Sequence, residues 1–218
     1  MGRPRGRPAA GDESTIASAV LLDAALEAFA ERGYDGMSVR ELARALGVSH
    51  NLIPQRIGTK EQLWYAAVER GFAELAVALI EVAADDNLRD DVDRLRALVV
   101  RFIEANASRP ALLRIINQEA ASPGPRLDHL FTTYIDPVRE FGADVLGRLQ
   151  ASGRVRTGSV ALVYFLMTHG AGGPLSLPAL AARFGSGLDP ADRVAVHDYA
   201  TEAAAVLFDG LLAGPPEN

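Results

Sequence analysis

The sequence contains no cysteine, a single lysine and a single tryptophan, and its aromatic content is only 6%. Without cysteine, the chain has no disulfide framework, no thiolate metal site and no cysteine nucleophile. The longest strictly apolar run, Val160 to Met167, is far shorter than the ~20 residues that span a bilayer. Acidic residues soon follow the first arginines, where a secretory signal would have an uninterrupted apolar stretch. We therefore expect a soluble, cytoplasmic protein without a membrane partner.

The sequence also lacks the motifs of catalysis and of metal or cofactor binding. The histidines are dispersed without zinc spacing, and no Gly-x-Ser-x-Gly elbow is present. Gly170–Gly173 lacks the Lys-Ser/Thr of a phosphate loop. The acidic stretch from Asp85 to Asp93 fails the calcium-loop spacing, because Arg96 stands where the loop needs Glu. We interpret this stretch as a solvated linker with a helix cap, and we expect no enzyme, no metal and no cofactor.

The net charge of −6 over 218 residues argues at first against a nucleic-acid partner. The distribution of the charge changes this interpretation. Residues 1–60 hold eight basic and seven acidic residues, so this part carries +1 and the remainder carries −7. Three arginines lie in the first eleven residues. Such an asymmetry is typical of an anion-binding head on an acidic body.

Apolar residues recur at helical spacing through the chain, and no alternating strand pattern appears. The first predicted helix covers 14–32 and stops at Gly33. Ser38 and Glu41 form a capping-box pattern before a second helix at 39–45. Further helices are predicted from Ser49, from Thr59, and at 91–107, 110–121, 125–135, 137–151, 159–171, 178–184 and 190–213.

Two prolines mark possible helix starts in the C-terminal part of the sequence. Pro137 either kinks one long helix or starts a new helix that Asp136 caps. Asp189 followed by Pro190 is the pattern of an N-cap with proline at the first helical position. This pattern predicts that the last helix begins at residue 190.

Residues 38–57 have the spacing of a helix-turn-helix, with Gly47 in the turn and Ser49 capping the second helix. The residues that pack the two helices together are Leu42, Ala43, Leu46, Val48, Ile53 and Ile57. This packing leaves the N-terminal face of the second helix exposed for a DNA major groove. The side chains left outward, which suit base edges and phosphates, are Ser49, His50, Asn51, Gln55 and Arg56.

The stretch Phe29–Leu63 resembles the DNA-binding domain of the TetR family of transcriptional regulators. The shared signals are Phe29-Ala30, Gly33-Tyr34, Ser38-Val39-Arg40, Leu42-Ala43, Gly47-Val48-Ser49 and Thr59-Lys60-Glu61. The resemblance implies an all-α fold with a three-helix DNA-binding domain over 14–58. It implies a helical bundle over 59–218 for ligand binding and dimerisation. The function implied is a homodimeric repressor that a small-molecule effector, unknown here, releases from a palindromic double-stranded DNA operator.

The resemblance adds Ser38, Arg40 and Lys60 to the predicted DNA-binding residues. Lys60 lies at a predicted helix N-terminus, where backbone N–H groups help to bind phosphate; alternatively, it is a solvated surface lysine. Arg40 and Arg44 lie one helical turn apart and suit backbone phosphates. They equally suit ion pairs with Glu41 or Asp35.

The second helix of the motif departs from the family pattern, which has an aromatic residue, then His or Tyr, then Phe. Pro54, Arg56 and Ile57 stand at these positions. With Ser49 as cap, Pro54 removes the bond that its N–H would donate to the His50 carbonyl. The sequence therefore predicts a helix that is kinked or begins irregularly. One alternative function is a dimerisation or protein-interaction module with weak DNA contacts.

Residues 1–13 form a predicted flexible basic arm. Within it, Pro4-Arg5-Gly6-Arg7-Pro8 resembles the core of an AT-hook. Proline keeps such a backbone extended and glycine lets it lie close to the groove floor. Arg5 and Arg7 would then follow a narrow, electronegative minor groove. The alternative is an unstructured leader that touches nothing specific.

The predicted effector site combines apolar side chains with a few polar groups, as pockets between bundle helices do. Its residues are Phe102, Ile116, Asn117, Phe131, Tyr134, Tyr164, Phe165 and His169. These residues also suit a plain core, and a further alternative is a constitutive DNA binder or activator without a ligand.

The resemblance also implies a dimer interface. The predicted helices at 159–171 and 190–213 would form a four-helix bundle with the same two helices of a second chain. Its apolar surface would be Val160, Val163, Leu166, Met167, Val206, Phe208, Leu211 and Leu212, unless these faces cover the core of their own monomer.

Overall fold

The computed structural model describes residues 17–88, 90–185 and 187–211, and in this part of the chain it contains helices and no strand. The N-terminal helices are α1 (Ser18–Gly36), α2 (Val39–Ala45), α3 (Leu52–Arg56) and α4 (Lys60–Ala83). They are followed by α5 (Asp91–Ser108), α6 (Pro110–Glu119), α7 (Pro125–Leu130), α8 (Asp136–Ala151), α9 (Val160–Phe165), α10 (Gly173–Ser176), α11 (Pro178–Arg183) and α12 (Arg193–Leu211). Two π-helical segments, Phe131–Ile135 and Leu166–Ala171, directly follow α7 and α9. The predicted all-α class is confirmed.

The chain divides into two compact units, Met1–Arg70 and Gly71–Asn218. The division falls inside α4, twelve residues after the predicted boundary at 58. Each unit buries an apolar core of its own. Among the described helices, none has both the length and the apolar character needed to cross a bilayer.

The core of the first unit is built by α1, α2, α3 and the first half of α4. Its fully buried large side chains are Leu21, Leu26, Phe29, Ile53, Leu63, Trp64 and Val68. Gly33 has a φ of 70°, which interrupts the regular path of α1 where the sequence predicts its stop. Arg70 on α4 donates from Nε and Nη2 to the two carboxylate oxygens of Asp23 on α1, at 2.7 and 3.0 Å. This paired geometry fixes the register of α4 against α1.

The second unit packs α5 against α12 and completes its core from α6, α8 and α10. Its buried members include Val92, Ile103, Leu113, Val145, Leu146, Leu149, Leu175, Val196, Ala200 and Phe208. The acidic stretch before α5 supplies its N-cap, because Asp90 accepts from Val92 N–H at 2.8 Å and from Asp93 N–H at 3.1 Å. The bond from Asp93, followed by the bond from Arg154, holds the pKa of Asp90 below its usual 3.8. The predicted helix cap is thus confirmed and located at Asp90.

The region of Pro137 agrees with one continuous helical path and not with a new helix that Asp136 caps. The chain stays helical from α7 to α8 through the π-helical segment, and the Asp136 N–H donates to the Phe131 carbonyl five residues earlier. Asp136 does not cap a new helix, because its carboxylate accepts from Arg139 Nε at 2.6 Å. The wider π turn accommodates a proline without ending the helix.

The predicted start of the last helix is wrong by three residues. α12 begins at Arg193, and Asp192 caps it by accepting from Val194 N–H at 3.1 Å and Ala195 N–H at 3.0 Å. Asp189 instead accepts from the Ala191 N–H at 2.9 Å and closes a local turn. Both aspartates satisfy the N-cap preference, so the pattern of residue types does not distinguish them.

Candidate nucleic-acid interface and ligand cavity

The first helix of the motif has defined ends. At its start, Ser38 Oγ accepts from the Glu41 N–H at 3.4 Å, which is half of the predicted capping box. The other half does not form, because the Glu41 carboxylate pairs with Arg32 at 2.8 Å. At the end of α2, Gly47 has a φ of 67° and donates to the Arg44 carbonyl, while Val48 donates to the Ala43 carbonyl. These two bonds form a Schellman motif, which turns the chain sharply into the next helix.

The second helix of the motif is short and begins with an irregular turn. Ser49 Oγ accepts from the Asn51 N–H at 3.4 Å, and the Leu52 N–H donates to the Ser49 carbonyl at 3.0 Å. The helix α3 itself starts only at Leu52. Pro54 is therefore its third residue, where a backbone N–H has no partner within the helix. The predicted irregular start is confirmed, and proline is tolerated at this position.

The five side chains of the second helix and its cap that the sequence predicts to contact DNA are exposed in the structure. Ile53 is fully buried and anchors α3 in the first unit. The neighbouring exposed side chains, which carry donors and acceptors suited to base edges and phosphates, are Ser49, His50, Asn51, Gln55 and Arg56. We call these five residues the recognition face. Pro54, which is also exposed, contributes no polar group.

Basic residues flank the recognition face. Arg40 is exposed on α2, and neither it nor Arg44 makes an ion pair among the described residues, since Glu41 is taken by Arg32. Lys60 is half-buried at the start of α4. Its ammonium group donates to the Asp35 carbonyl at 3.2 Å and lies 4.8 Å from the centre of the Tyr34 ring. These contacts hold the lysine charge in one place.

The sequence analysis predicted a helix from Thr59 but not the part that Gln62 plays in capping it. The Thr59 N–H donates to Gln62 Oε1 at 2.8 Å, and the Gln62 N–H donates to Thr59 Oγ1 at 3.2 Å. This is a reciprocal capping box, and its Thr-x-x-Gln signature is present in the sequence. The cap fixes the N-terminal turn on which Lys60 lies.

Two predicted DNA-binding residues, Arg5 and Arg7, lie outside the described residues, as does the whole basic arm. Their proposed position in a minor groove stays a prediction.

The second unit contains a cavity of about 490 Å³. Six of the eight predicted effector-site residues line it: Phe102, Ile116, Asn117, Tyr134, Tyr164 and His169. The other lining residues are mostly apolar, and burial raises the pKa of the Tyr164 hydroxyl. Sequence reasoning missed Asn106, which lines the cavity with only 1% of its surface exposed. A polar residue among the apolar positions of α5 was the available signal.

Two predicted effector-site residues do not line this cavity. Phe131 and Phe165 are exposed by 42% and 56%, and neither lines the cavity. Phe165 directly follows Tyr164, and consecutive helical residues point about 100° apart. When the tyrosine faces the cavity, the phenylalanine faces outward.

The apolar run on α9 and the following π segment also divides differently from the prediction. Val160, Val163 and Met167 pack against the core of their own unit, and Phe208 on α12 is buried. Only Leu166 and Val206 of the predicted dimer surface are exposed among the described side chains. The outward apolar face of this run consists of Leu162, Phe165 and Leu166, at 57%, 56% and 45% exposure. Leu211 and Leu212 have no described side chains.

Comparison with known proteins agrees with this geometry. Residues 21–67 match the family described as bacterial regulatory proteins, tetR family. The chain is 34% identical over 97 residues to the HTH-type transcriptional repressor AcnR of Corynebacterium glutamicum, covering 43% of this chain and 52% of AcnR. AcnR of Corynebacterium efficiens is 32% identical over the same length. The chain thus spans about half the length of the curated relatives it matches.

Solved structures extend the similarity in fold to nearly the whole chain. The ketosteroid transcriptional regulator KstR2 of Mycobacterium tuberculosis superposes with a TM-score of 0.70 at 20% identity, covering 93% of this chain and 98% of KstR2. The TetR family transcriptional regulator PfmR from Thermus thermophilus gives a TM-score of 0.64 at 22% identity, covering 89% and 97%. At sequence identities of 20% and 22%, the similarity is evidence for a shared fold alone.

The N-terminal unit and its exposed second helix define an all-α protein with a helix-turn-helix domain. Within that class, residues 21–67 are similar in sequence to the tetR family of bacterial regulatory proteins, and nearly the whole chain shares its fold with solved regulators.

Proposed function

We propose that this chain is a transcriptional repressor that binds a near-palindromic DNA operator as a homodimer and is released by a small molecule. The observation that carries the proposal is the exposed recognition face, held by the buried Ile53 in a domain of the TetR family. Two symmetric heads would read half-sites about 34–36 Å apart, which is one turn of DNA. The cavity in the second unit supplies the space for the effector.

Release by an effector requires that the effector bind two conformations of the protein with different affinities. A ligand weakens DNA binding only if it binds better to the conformation in which the heads fit the operator poorly. α4 contains the residue at which the two units divide, so it is the covalent route for such a change.

Selection of DNA from a random pool by the full chain tests the DNA-binding proposal. We expect enrichment of an inverted repeat whose half-sites are centred about one helical turn apart. The chain should bind the enriched DNA about 10³-fold or more tightly than unrelated DNA. A pool that shows no enrichment even at low salt would contradict the proposal.

Lys60→Ala should weaken binding to all DNA sequences about equally, because an ammonium group at a helix start contacts phosphate and carries no sequence information. The slope of log affinity against log salt should fall by about one. The measurement is a salt titration with the enriched operator and with unrelated DNA. Arg32→Ala is the matched control, since its guanidinium already pairs with Glu41. A loss confined to the operator, or an equal loss in the control, would refute the phosphate role.

The proposed dimer face is the outward apolar face of Leu162, Phe165 and Leu166. Exposed apolar surface of this kind is typical of an interface between chains. The double variant Leu162→Glu with Leu166→Glu should be monomeric by light scattering and should lose operator binding, because one head alone makes half of the contacts. Leu180→Glu on α11, 55% exposed, is the control and should leave the dimer intact. A double variant that remains dimeric would place the interface elsewhere.

A further inference from the structure

The lining of the cavity in the second unit carries almost no charge. No carboxylate and no lysine lines it among the described residues. The lining side chains that can be positively charged are Arg139 and His169. Arg139 Nε already donates to Asp136 at 2.6 Å, and the carboxylate of Glu140 lies 3.8 Å from its Nη2. Two carboxylates thus more than balance the arginine, and His169 Nδ1 lies 2.8 Å from the Thr168 hydroxyl.

Much of the polar character of the lining is already used within the protein. The Thr168 hydroxyl donates to the Tyr164 carbonyl at 2.8 Å, and Asn106 Nδ2 donates to the Phe102 carbonyl at 2.8 Å. Burial raises the pKa of the Tyr164 hydroxyl, so this group stays neutral at physiological pH. A ligand with a full charge or with many polar groups would lose its bonds to water without gaining equivalent partners here.

Several apolar side chains of the lining remain uncovered. Ile80 on α4, with Val138 and Phe141 on α8, belong to the lining and are 64%, 44% and 44% exposed. An apolar molecule in the cavity is favoured because covering such side chains removes apolar surface from water. The volume of about 490 Å³ lies within the usual range of small-molecule sites.

We propose that the cavity binds a neutral molecule that is apolar over most of its surface, and that it discriminates against anions and cations of the same size. The proposal rests on the proposed function in that this molecule is the effector. It goes further by stating the chemical class of the effector. The selection arises from missing countercharges, because an unpaired carboxylate or ammonium group costs more to bury in this lining than a hydroxyl does.

Three ten-carbon probes that differ only in the head group test this proposal on the full chain. At about pH 7, 1-decanol is neutral, decanoate is an anion and decylammonium is a cation. Each probe competes with the neutral solvatochromic dye Nile red. We expect 1-decanol to displace the dye at concentrations at least about tenfold lower than either ion, because only the ions bury a charge. Equal or tighter binding of either ion would overturn the proposal.

Isosteric variants assign the preference to the cavity. Leu113, Ile116 and Asn117 have the i, i+3, i+4 spacing of one face of α6, and all three line the cavity. Asn117→Asp adds a negative charge to this face and should bring decylammonium about tenfold closer to 1-decanol. Gln118→Glu is the control, because it adds the same charge at an exposed position about 100° further around the helix. It should leave the relative affinities of the three probes unchanged.

The two variants also show whether the probes bind elsewhere on the protein. Relative affinities that stay unchanged in Asn117→Asp, or that change equally in both variants, would place the probes outside the cavity and overturn the proposal. Circular dichroism checks that both variants are folded, and the comparison of the three probes on the unmodified chain needs no variant.

Release of operator DNA is measured separately from displacement of the dye. A neutral probe that binds as expected and leaves DNA bound would contradict the repressor-release function and preserve the ligand class. Release of DNA by either ion at lower concentration than by 1-decanol would contradict the ligand class and preserve the function.

Discussion

Ile53→Ala should abolish operator binding by the chain. Ile53 is the one fully buried side chain of α3, and it is 0% exposed. Its truncation should destabilise the first unit by about 2–5 kcal/mol, from lost burial and the cavity left behind. A helix of five residues has no stability of its own. The recognition face therefore loses its orientation even in molecules that remain folded.

The measurement pairs urea unfolding with DNA binding. Trp64, the sole tryptophan, is buried in the first unit, so its fluorescence reports on that unit. Gln55→Ala is the control in the same helix, because Gln55 is exposed. It should leave the unfolding midpoint within about 0.5 kcal/mol and cost about 1–3 kcal/mol of discrimination at one base pair. Operator affinity unchanged in Ile53→Ala would show that α3 is positioned by other contacts.

The first unit could be predicted from the sequence because its structure depends on local rules. The Gly47 turn, the Ser38 cap and the stop at Gly33 each follow from a residue type at a fixed offset. The irregular start of α3 also follows from a local cause, the proline at position 54. Sequence patterns are most informative where hydrogen bonds close within five residues.

The second unit was less predictable because its patterns are ambiguous. The run Val160–Met167 is apolar on all sides, so its periodicity does not show which side faces the core. The π-helical segments Phe131–Ile135 and Leu166–Ala171 further shift the direction of side chains relative to a regular helix. Phe131 and Phe165 were therefore assigned to the cavity although they face outward.

Asn106 shows a different limit of sequence reasoning. Asn117 and Asn106 are both polar residues on apolar helices, and the sequence does not distinguish them. The difference lies in burial, because Asn106 is 1% exposed and Asn117 is half-buried. Only a folded chain shows which of the two amides is cut off from water.

Gly172→Ala should destabilise the second unit and weaken ligand binding together. Gly172 is buried directly after the second π-helical segment, and its N–H donates to the Met167 carbonyl at 3.0 Å. Its φ of −78° suits any residue, so the effect is steric. An added Cβ would lie 2.2 Å from the Thr168 carbonyl oxygen, and this backbone atom cannot swing away. Relieving the clash must move Thr168 and Met167, which both line the cavity.

Overpacking of this kind costs about 1–3 kcal/mol, and each kcal/mol lowers Tm by about 2–4 °C in a domain of this size. Scanning calorimetry measures the first effect, and binding of the neutral solvatochromic dye Nile red to the cavity measures the second. Gly170→Ala is the matched control two residues earlier, since its added Cβ would meet nothing within 4 Å. It should leave Tm unchanged or raise it slightly, because alanine is favoured over glycine in a helical segment. Equal melting of both variants would mean that the backbone around Thr168 adapts, and the π-helical segment would then not be a rigid wall of the cavity.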